Sequence, residues 1–360
     1  MTYPSGREQN ELLMESSQSQ IFFLRTFAEL GQRQLDPAYS LLIYDRKLDK
    51  VSSKFRSWRK KFAHQYAVNA GESLKDIAKF SGHVAKIAKV SDGIPARKLT
   101  IIAVGGGSIG DFAGFLASVY KRGVDLVHVP STWLAAIDSS HGGKTALNVG
   151  GAKNQIGTFY PASKVILVRE LLFAQDDRRS FDALGELAKI ALLIGGSLVR
   201  RLEKSHKHGN ELLWDFLKDA IAAKMSVVRK DPREKTGIRQ ILNLGHTLGH
   251  AFEAKYGWPH GFSISQGLFF TIELSEGFGL LKSNEADRAM SLLSHLGLTP
   301  VRPQKKFSAS ELTTLLSKDK KSDRAASVTF IALSKIGKPQ RVEMPIRDLV
   351  SEARRQGWVR

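Results

Sequence analysis

The string TGIRQILNLGHTLGHAFEA carries His246 and His250 four residues apart, and a third histidine, His260, follows in PHGFSISQG. Imidazoles at i and i+4 emerge on one face of a helix and can clamp a metal ion. Asn243 stands three residues before His246 and on a continuous helix shares that face. Glu186 and Lys189, three apart in GELAKIALL, form a second polar pair on an otherwise apolar helical stretch. One carboxylate with two imidazoles is a donor set of the catalytic metal type. Spacing alone does not choose between His250 and His260, and either histidine could instead be satisfied by hydrogen bonds in the core. The chain has no cysteine, so thiolate ligands and disulfides are excluded, leaving imidazole and carboxylate as metal donors.

A second set of residues suits anions. Gly105-Gly106-Gly107-Ser108-Ile109-Gly110-Asp111 follows a buried apolar run and opens a helical one, with Gly105, Gly107 and Gly110 at dinucleotide spacing. Missing side chains there let the backbone approach a pyrophosphate at the positive end of a helix, although such turns also serve packing alone. Asp45 closes LLIYD, where a carboxylate can accept from a ribose or simply finish a turn. Asp138 through Thr145 and Gly151 through Gly157 add Lys144, Lys153, Asn154 and several glycines. That composition can wrap anionic oxygens or form a flexible surface loop. A Walker loop is excluded, because the residue five before Gly143 is Asp138 rather than glycine.

These groups need rigid elements to hold them. A chain of 360 residues exceeds what one hydrophobic core usually supports, so two domains are expected. Residues 1–18 look like a polar, loosely ordered extension. SQIFFLRTF and YSLLIYD then give a pair of short apolar strands, followed by strand and helix patterns in alternation through KVILVREL. Alternation of this kind implies a Rossmann-like parallel sheet covered by helices, over residues 19–175, with ligands near the carboxyl ends of the strands. After the polar break AQDDRRS the helical period dominates, so 176–360 is expected to be a mainly α-helical domain.

The net charge of +19 raises the question of nucleic acid, and KFRSWRKKF at 54–62 interleaves aromatics with cations. No helix-turn-helix, ribonucleoprotein or zinc-finger pattern accompanies it, so nucleic acid is not the expected partner. A solvated basic face, or a basic cleft drawing in a small anion, accounts for the charge. No apolar run reaches the ~20 residues of a membrane span. The N-terminus lacks the layout of a secretory signal, so the expected location is the cytoplasm.

Six strings, GGGSIGDFAGFLASVYKRG, VPSTWLAAIDSSHGGKTALN, GAKNQIGTFY, GELAKIALL, TGIRQILNLGHTLGHAFEA and PHGFSISQG, resemble the 3-dehydroquinate synthase family in order and spacing, over roughly 40–350. The resemblance implies a lyase that converts 3-deoxy-arabino-heptulosonate 7-phosphate to 3-dehydroquinate and phosphate, in the shikimate pathway of aromatic amino acid biosynthesis. It implies transient oxidation by NAD, phosphate elimination, reduction and intramolecular aldol closure. By the same resemblance Glu186, His246 and His260 would hold a divalent metal, zinc or cobalt, and His250 would contact phosphate with Lys144 and Asn154. Arg122 would reach the neighbouring site of a homodimer. Arg239, Lys224 and the Asp319-Lys320-Lys321 segment would bind the substrate carboxylate, while Asp138, Lys189 and Asn243 would orient hydroxyls. NAD would be contacted by Asp45, Glu72, Lys75, Gly105, Gly106, Gly107, Gly110, Asp111, Ser131, Thr132, Asp138, Lys144 and Lys153.

Several positions depart from the family pattern. Phe262 replaces a common glutamate, Ile190 a usual aromatic or histidine, and His141 a small apolar residue. Asn148-Val149-Gly150-Gly151 replaces an Asn-His-Pro-like turn, and one residue is inserted between Lys224 and Arg239. Cyclases of the 2-deoxy-scyllo-inosose or sedoheptulose-phosphate type share the NAD and metal blocks, as alternatives. Arg239, Asn243 and His250 favour a carboxylate-bearing substrate over theirs. Lys144, Asn154 and His250 argue against a metal-dependent alcohol dehydrogenase of similar fold.

Overall fold

The computed structural model describes residues 12–15, 19–31, 35–176, 178–317 and 327–360. The chain divides into two compact units between Arg179 and Ser180. Among the described residues, no helix is long and apolar enough to cross a membrane.

The first unit is built on strands β1 (Leu12–Glu15), β2 (Gln20–Leu24), β3 (Ser40–Asp45), β4 (His64–Val68), β5 (Thr100–Gly105), β6 (Asp125–Pro130) and β9 (Lys164–Val168), with β7 (Lys144–Val149) and β8 (Ala152–Phe159) as a separate hairpin. The sheet order is β1-β2-β9-β6-β5-β3-β4, with β1 antiparallel to β2 and the other neighbours parallel. Two expectations are corrected. The early strands β2 and β3 do not pair with each other, because β9, β6 and β5 lie between them. Residues 25–39 between them are long enough for the crossover that parallel strands need, so the chain passes to the far side of β5. Leu12–Glu15, inside the expected extension, forms the sheet's edge strand.

Period-two burial explains the sheet. Phe22, Leu24, Leu42, Tyr44, Ile102, Val104, Val127, Val129, Ile166 and Val168 alternate onto one face and pack with Phe27, Phe55, Trp58, Phe62 and Leu171. The basic run thereby finds its structural role. Ser52 Oγ caps helix Ser53–Arg59 by accepting from Phe55 N at 3.1 Å, and the aromatics at i, i+3 and i+7 enter this core. Arg59 turns outward to a bidentate pair with Asp49 at 2.5 and 3.1 Å. From β3 the chain steps to β4 on one side and later to β5 on the other, a topological switch that leaves a crevice beyond the carboxyl ends of β3 and β5.

The second unit contains all but the first two residues of helix Arg178–Ile194, and helices Gly196–Glu203, Gly209–Lys230, His246–Tyr256, His260–Gly277, Ser283–His295, Ala309–Ser317 and Ile346–Arg355. It also holds an antiparallel hairpin, β10 (Ser327–Lys335) with β11 (Lys338–Pro345), absent from the helical expectation. Phe252, Phe270, Phe307, Phe330 and Trp358 are fully buried together in its core. Three helices of this unit also meet backbone to backbone. A Cβ on Gly261 would lie 1.7 Å from Asp182 O, one on Gly185 2.1 Å from Gly261 O, and one on Gly267 1.9 Å from Gly245 O. Only glycine permits these approaches, and each lies beside a polar residue of the helical half.

Candidate functional site

In the second unit, Gly185 and Gly261 bring their neighbours Glu186 and His260 together, and His246 opens the third helix. Glu186 is completely buried, with Oε1 3.6 Å from His246 Nε2 and 3.7 Å from His260 Nε2. One donor atom from each of these three residues lies within 4.8 Å of the others, the one such group among the described residues. His250 stays close, its ring centroid 5.2 Å from that of His246, but it is not a member of the donor group.

The surroundings orient each donor. Lys189 Nζ pairs closely with Glu186 Oε2, so Oε1 faces the imidazoles. His246 Nδ1 lies 3.2 Å from Leu244 O and His260 Nδ1 2.9 Å from Glu253 Oε2. A proton on Nδ1 of each ring leaves both Nε2 lone pairs for a metal. Burial, reinforced by Lys189, His250 and His260, holds His246 well below the usual imidazole value and keeps it neutral. His260 behaves oppositely: burial lowers it, but the carboxylates of Glu186 and Glu253 push it up to about 10. A carboxylate and two imidazoles, converging and pre-oriented, fit a divalent metal such as zinc.

Asn243 does not share the helix of His246 and His250, contrary to expectation. It ends a 3₁₀ turn, Ile238–Asn243, and Gly245, with φ of 76°, separates that turn from the helix. Arg239 is buried in the same turn, its Nη1 donating to Pro232 O at 3.0 Å. Asp231 organises the loop by accepting from the backbone N–H of Lys235, Thr236 and Arg239. Those donors outweigh burial and hold its carboxyl below the usual range. Lys224 and Lys189 are buried. Lys320 and Lys321 lie outside the described residues.

In the first unit, Asp45, Gly105 and the Ser131-Thr132 pair sit at the carboxyl ends of adjacent strands β3, β5 and β6. Asp45 Oδ1 accepts from Lys47 N at 3.1 Å, and Asp45 lines a pocket with Ser131, Leu48, Leu171 and Gln175. Helix Gly107–Val119 starts at Gly106 with no side-chain cap, which leaves its first N–H groups available. None of Gly105, Gly106, Gly107 or Gly110 has positive φ; close approach explains the first three, since a Cβ on Gly105 would meet Ile109 at 2.5 Å, on Gly106 Thr132 at 3.2 Å and on Gly107 Ser139 at 3.2 Å. Asp138 lies in a π turn, Ala135–Ser139, a backbone form frequent at functional sites.

Lys75 is buried beneath this region, its Nζ 2.7 Å from Asp111 Oδ2 and 2.6 Å from Asn154 Oδ1. Burial raises the Asp111 carboxyl above its usual value, and Lys75 opposes that rise. Glu72 Oε2 accepts from Asn148 Nδ2 at 2.8 Å, joining the 72–75 turn to the hairpin that carries Lys144, Lys153 and Asn154. Arg122 is exposed, and it and Lys121 hold left-handed backbone at φ of 69° and 49°. Sequence inspection missed Glu253. Its signal is a carboxylate seven residues before His260, which carries meaning only once the turn between two helices folds it back.

Models of the 3-dehydroquinate synthase N-terminal and C-terminal parts match residues 65–182 and 183–322. A 3-dehydroquinate synthase of Pseudarthrobacter chlorophenolicus is 31% identical over 308 residues, 79% of this chain and 84% of that one. The chain belongs to the 3-dehydroquinate synthase family. The 3-dehydroquinate synthase of Paenarthrobacter aurescens is 29% identical over 356 residues, covering 91% of this chain and 97% of its own. Among solved structures, a 2-deoxy-scyllo-inosose synthase complexed with carbaglucose-6-phosphate, NAD+ and Co2+ superposes with a TM-score of 0.82 at 24% identity, over 97% of this chain and all of that one. That likeness shows the shared fold.

Proposed function

We propose that this chain is a 3-dehydroquinate synthase, a phosphate-eliminating lyase that cyclises 3-deoxy-arabino-heptulosonate 7-phosphate in the cytoplasm. The observation that carries the proposal is the converging set of Glu186, His246 and His260 in a chain whose two halves match the two parts of that family. The structurally similar 2-deoxy-scyllo-inosose synthase binds NAD+ and Co2+, and the same kind of pair is proposed here.

Bound NAD would supply a hydride acceptor, and a bound divalent metal would supply a Lewis acid for a substrate oxygen. Glu186, His246 and His260 hold the metal, with Lys189, Leu244 O and Glu253 fixing their orientation. Asp45 and the uncapped start of helix Gly107–Val119 receive the ribose and pyrophosphate of NAD. Lys144, Asn154 and His250 grip the phosphate, and Arg239 with Lys224 takes the carboxylate, together with Lys320 and Lys321. A buried guanidinium set by the Asp231 loop suits planar carboxylate recognition. Asp138, Lys189 and Asn243 orient hydroxyls. The protein's main contribution is placement of charge around a flexible anion, which holds it in a reactive geometry.

The proposed assembly is a homodimer in which Arg122 serves the neighbouring site. Support comes from the left-handed backbone at Lys121 and Arg122, which costs about 1–2 kcal/mol per residue and tends to persist where function uses it. Ile156 and Phe159 of the adjacent hairpin are 41% and 44% exposed, apolar surface suited to a second copy. Phosphate release from the heptulosonate phosphate, dependent on both NAD and metal, tests the activity. Sedimentation equilibrium tests the dimer, and a monomer at micromolar concentration refutes it.

A further inference from the structure

Asn154 is constrained twice. Its backbone is left-handed, with φ of 56°, and its N–H donates to Asn148 Oδ1 at 2.9 Å. Its side-chain oxygen lies 2.6 Å from Lys75 Nζ, which also donates to Asp111 Oδ2 at 2.7 Å. An ammonium carries donors and no acceptor, so the amide atom facing Lys75 has to be oxygen. The Nδ2 donors therefore point the other way, and among the described residues none of the hydrogen bonds takes them. Lys75 is only 4% exposed, and its ion pair with Asp111 is a second anchor, so its own position is fixed.

We propose that Lys75 is a positioning residue for phosphate recognition: it locks the Asn154 amide so that Nδ2 donates to a phosphoryl oxygen of the substrate. This rests on the reading that Asn154 faces the phosphate. It gives Lys75 a task separate from any contact with the nucleotide. Without Lys75 the amide can flip and turn its oxygen toward the anion, replacing attraction with repulsion. Asn154→Asp separates the two functions, since a carboxylate still pairs with Lys75 but offers the phosphate no donor.

The test uses full-length, metal-loaded, NAD-bound protein with Lys75→Met, Asn154→Ala, Asn154→Asp and the Lys75→Met/Asn154→Ala double variant. Inorganic phosphate affinity is measured by calorimetry and KM is measured for the sugar phosphate. Each single variant is expected to weaken phosphate by about tenfold or more, the scale of one hydrogen bond to a charged group. The double variant should be no worse than Asn154→Ala alone, and NAD affinity should hold in both Asn154 variants. Multiplicative losses in the double variant, or phosphate affinity retained in Asn154→Asp, overturn the proposal. Because inorganic phosphate binding needs no turnover, this result stands apart from failure of the synthase reaction. If Lys75→Met does not fold, Lys75→Ala takes its place in the same cycle, and phosphate affinity retained there overturns the proposal.

Discussion

Gly261→Ala tests the link between helix packing and the metal centre. The new Cβ would stand 1.7 Å from Asp182 O and 2.4 Å from Asp182 C, where contacts under 3.0 Å are essentially never observed. Both obstructing atoms are backbone, so no side chain can swing aside. The helices carrying Glu186 and His260 must separate by roughly 1.3 Å, the shortfall from 3.0 to 1.7 Å. Metal–ligand distances tolerate only about 0.2 Å. Zinc affinity should therefore fall at least about 100-fold, beyond the usual effect of disturbing a ligand's supporting partner. Folding should lose about 1–3 kcal/mol from overpacking. Chelator competition reports zinc affinity, and urea unfolding with and without zinc reports stability. Gly82→Ala is the control. Gly82 lies within helix Ile77–Val90 with nothing within 4 Å of an added Cβ. Alanine there should stabilise by about 0.5–1 kcal/mol and leave zinc untouched. Unchanged zinc affinity in Gly261→Ala would refute the claim that backbone contact sets the donor geometry.

Glu253→Ala should weaken zinc by about 10–100-fold while leaving the fold intact, because it removes the acceptor that orients His260; equal affinities in chelator competition would contradict it. His260 is pushed up to about 10 by its two carboxylates, so zinc must displace its proton. Zinc affinity should consequently rise by up to about tenfold per pH unit between pH 6 and 9, and a flat profile speaks against that displacement. Burial lowers His128 in β6 to about 4, so only the unfolded chain takes up its proton between pH 6.5 and 4. Stability from this residue is complete above pH 6.5 and falls as pH drops, by about 2 kcal/mol at pH 5. His128→Leu should flatten that slope in denaturation curves taken from pH 7 to 5.

Much of this was readable from the chain because the relevant periods are local. Alternating apolar runs give β2 through β6, helical spacing gives helix Ile77–Val90, and the glycine turn announces the start of helix Gly107–Val119. What escaped depends on contacts distant in sequence. Strand order is set by which edges remain to be paired, so β2 finds β9 rather than β3. Aromatics among cations at 54–62 carry two readings until the core shows where Phe55, Trp58 and Phe62 go. The helical period runs through Asn243 without warning of the left-handed Gly245 that takes Asn243 off the helix. Spacing left His250 and His260 level. The fold separates them through two glycines, Gly185 and Gly261, whose importance lies in what touches them rather than in their neighbours in sequence.

The central claim meets its most direct test in one reaction. Purified protein is incubated with 3-deoxy-arabino-heptulosonate 7-phosphate, NAD and zinc while phosphate, product and the 340 nm absorbance expected of reduced NAD are followed together, with parallel reactions on glucose 6-phosphate and sedoheptulose 7-phosphate. Catalytic release of phosphate with formation of 3-dehydroquinate and no accumulating reduced NAD is the predicted result. No release from this substrate, with turnover of the hexose or heptulose phosphate instead, would contradict it.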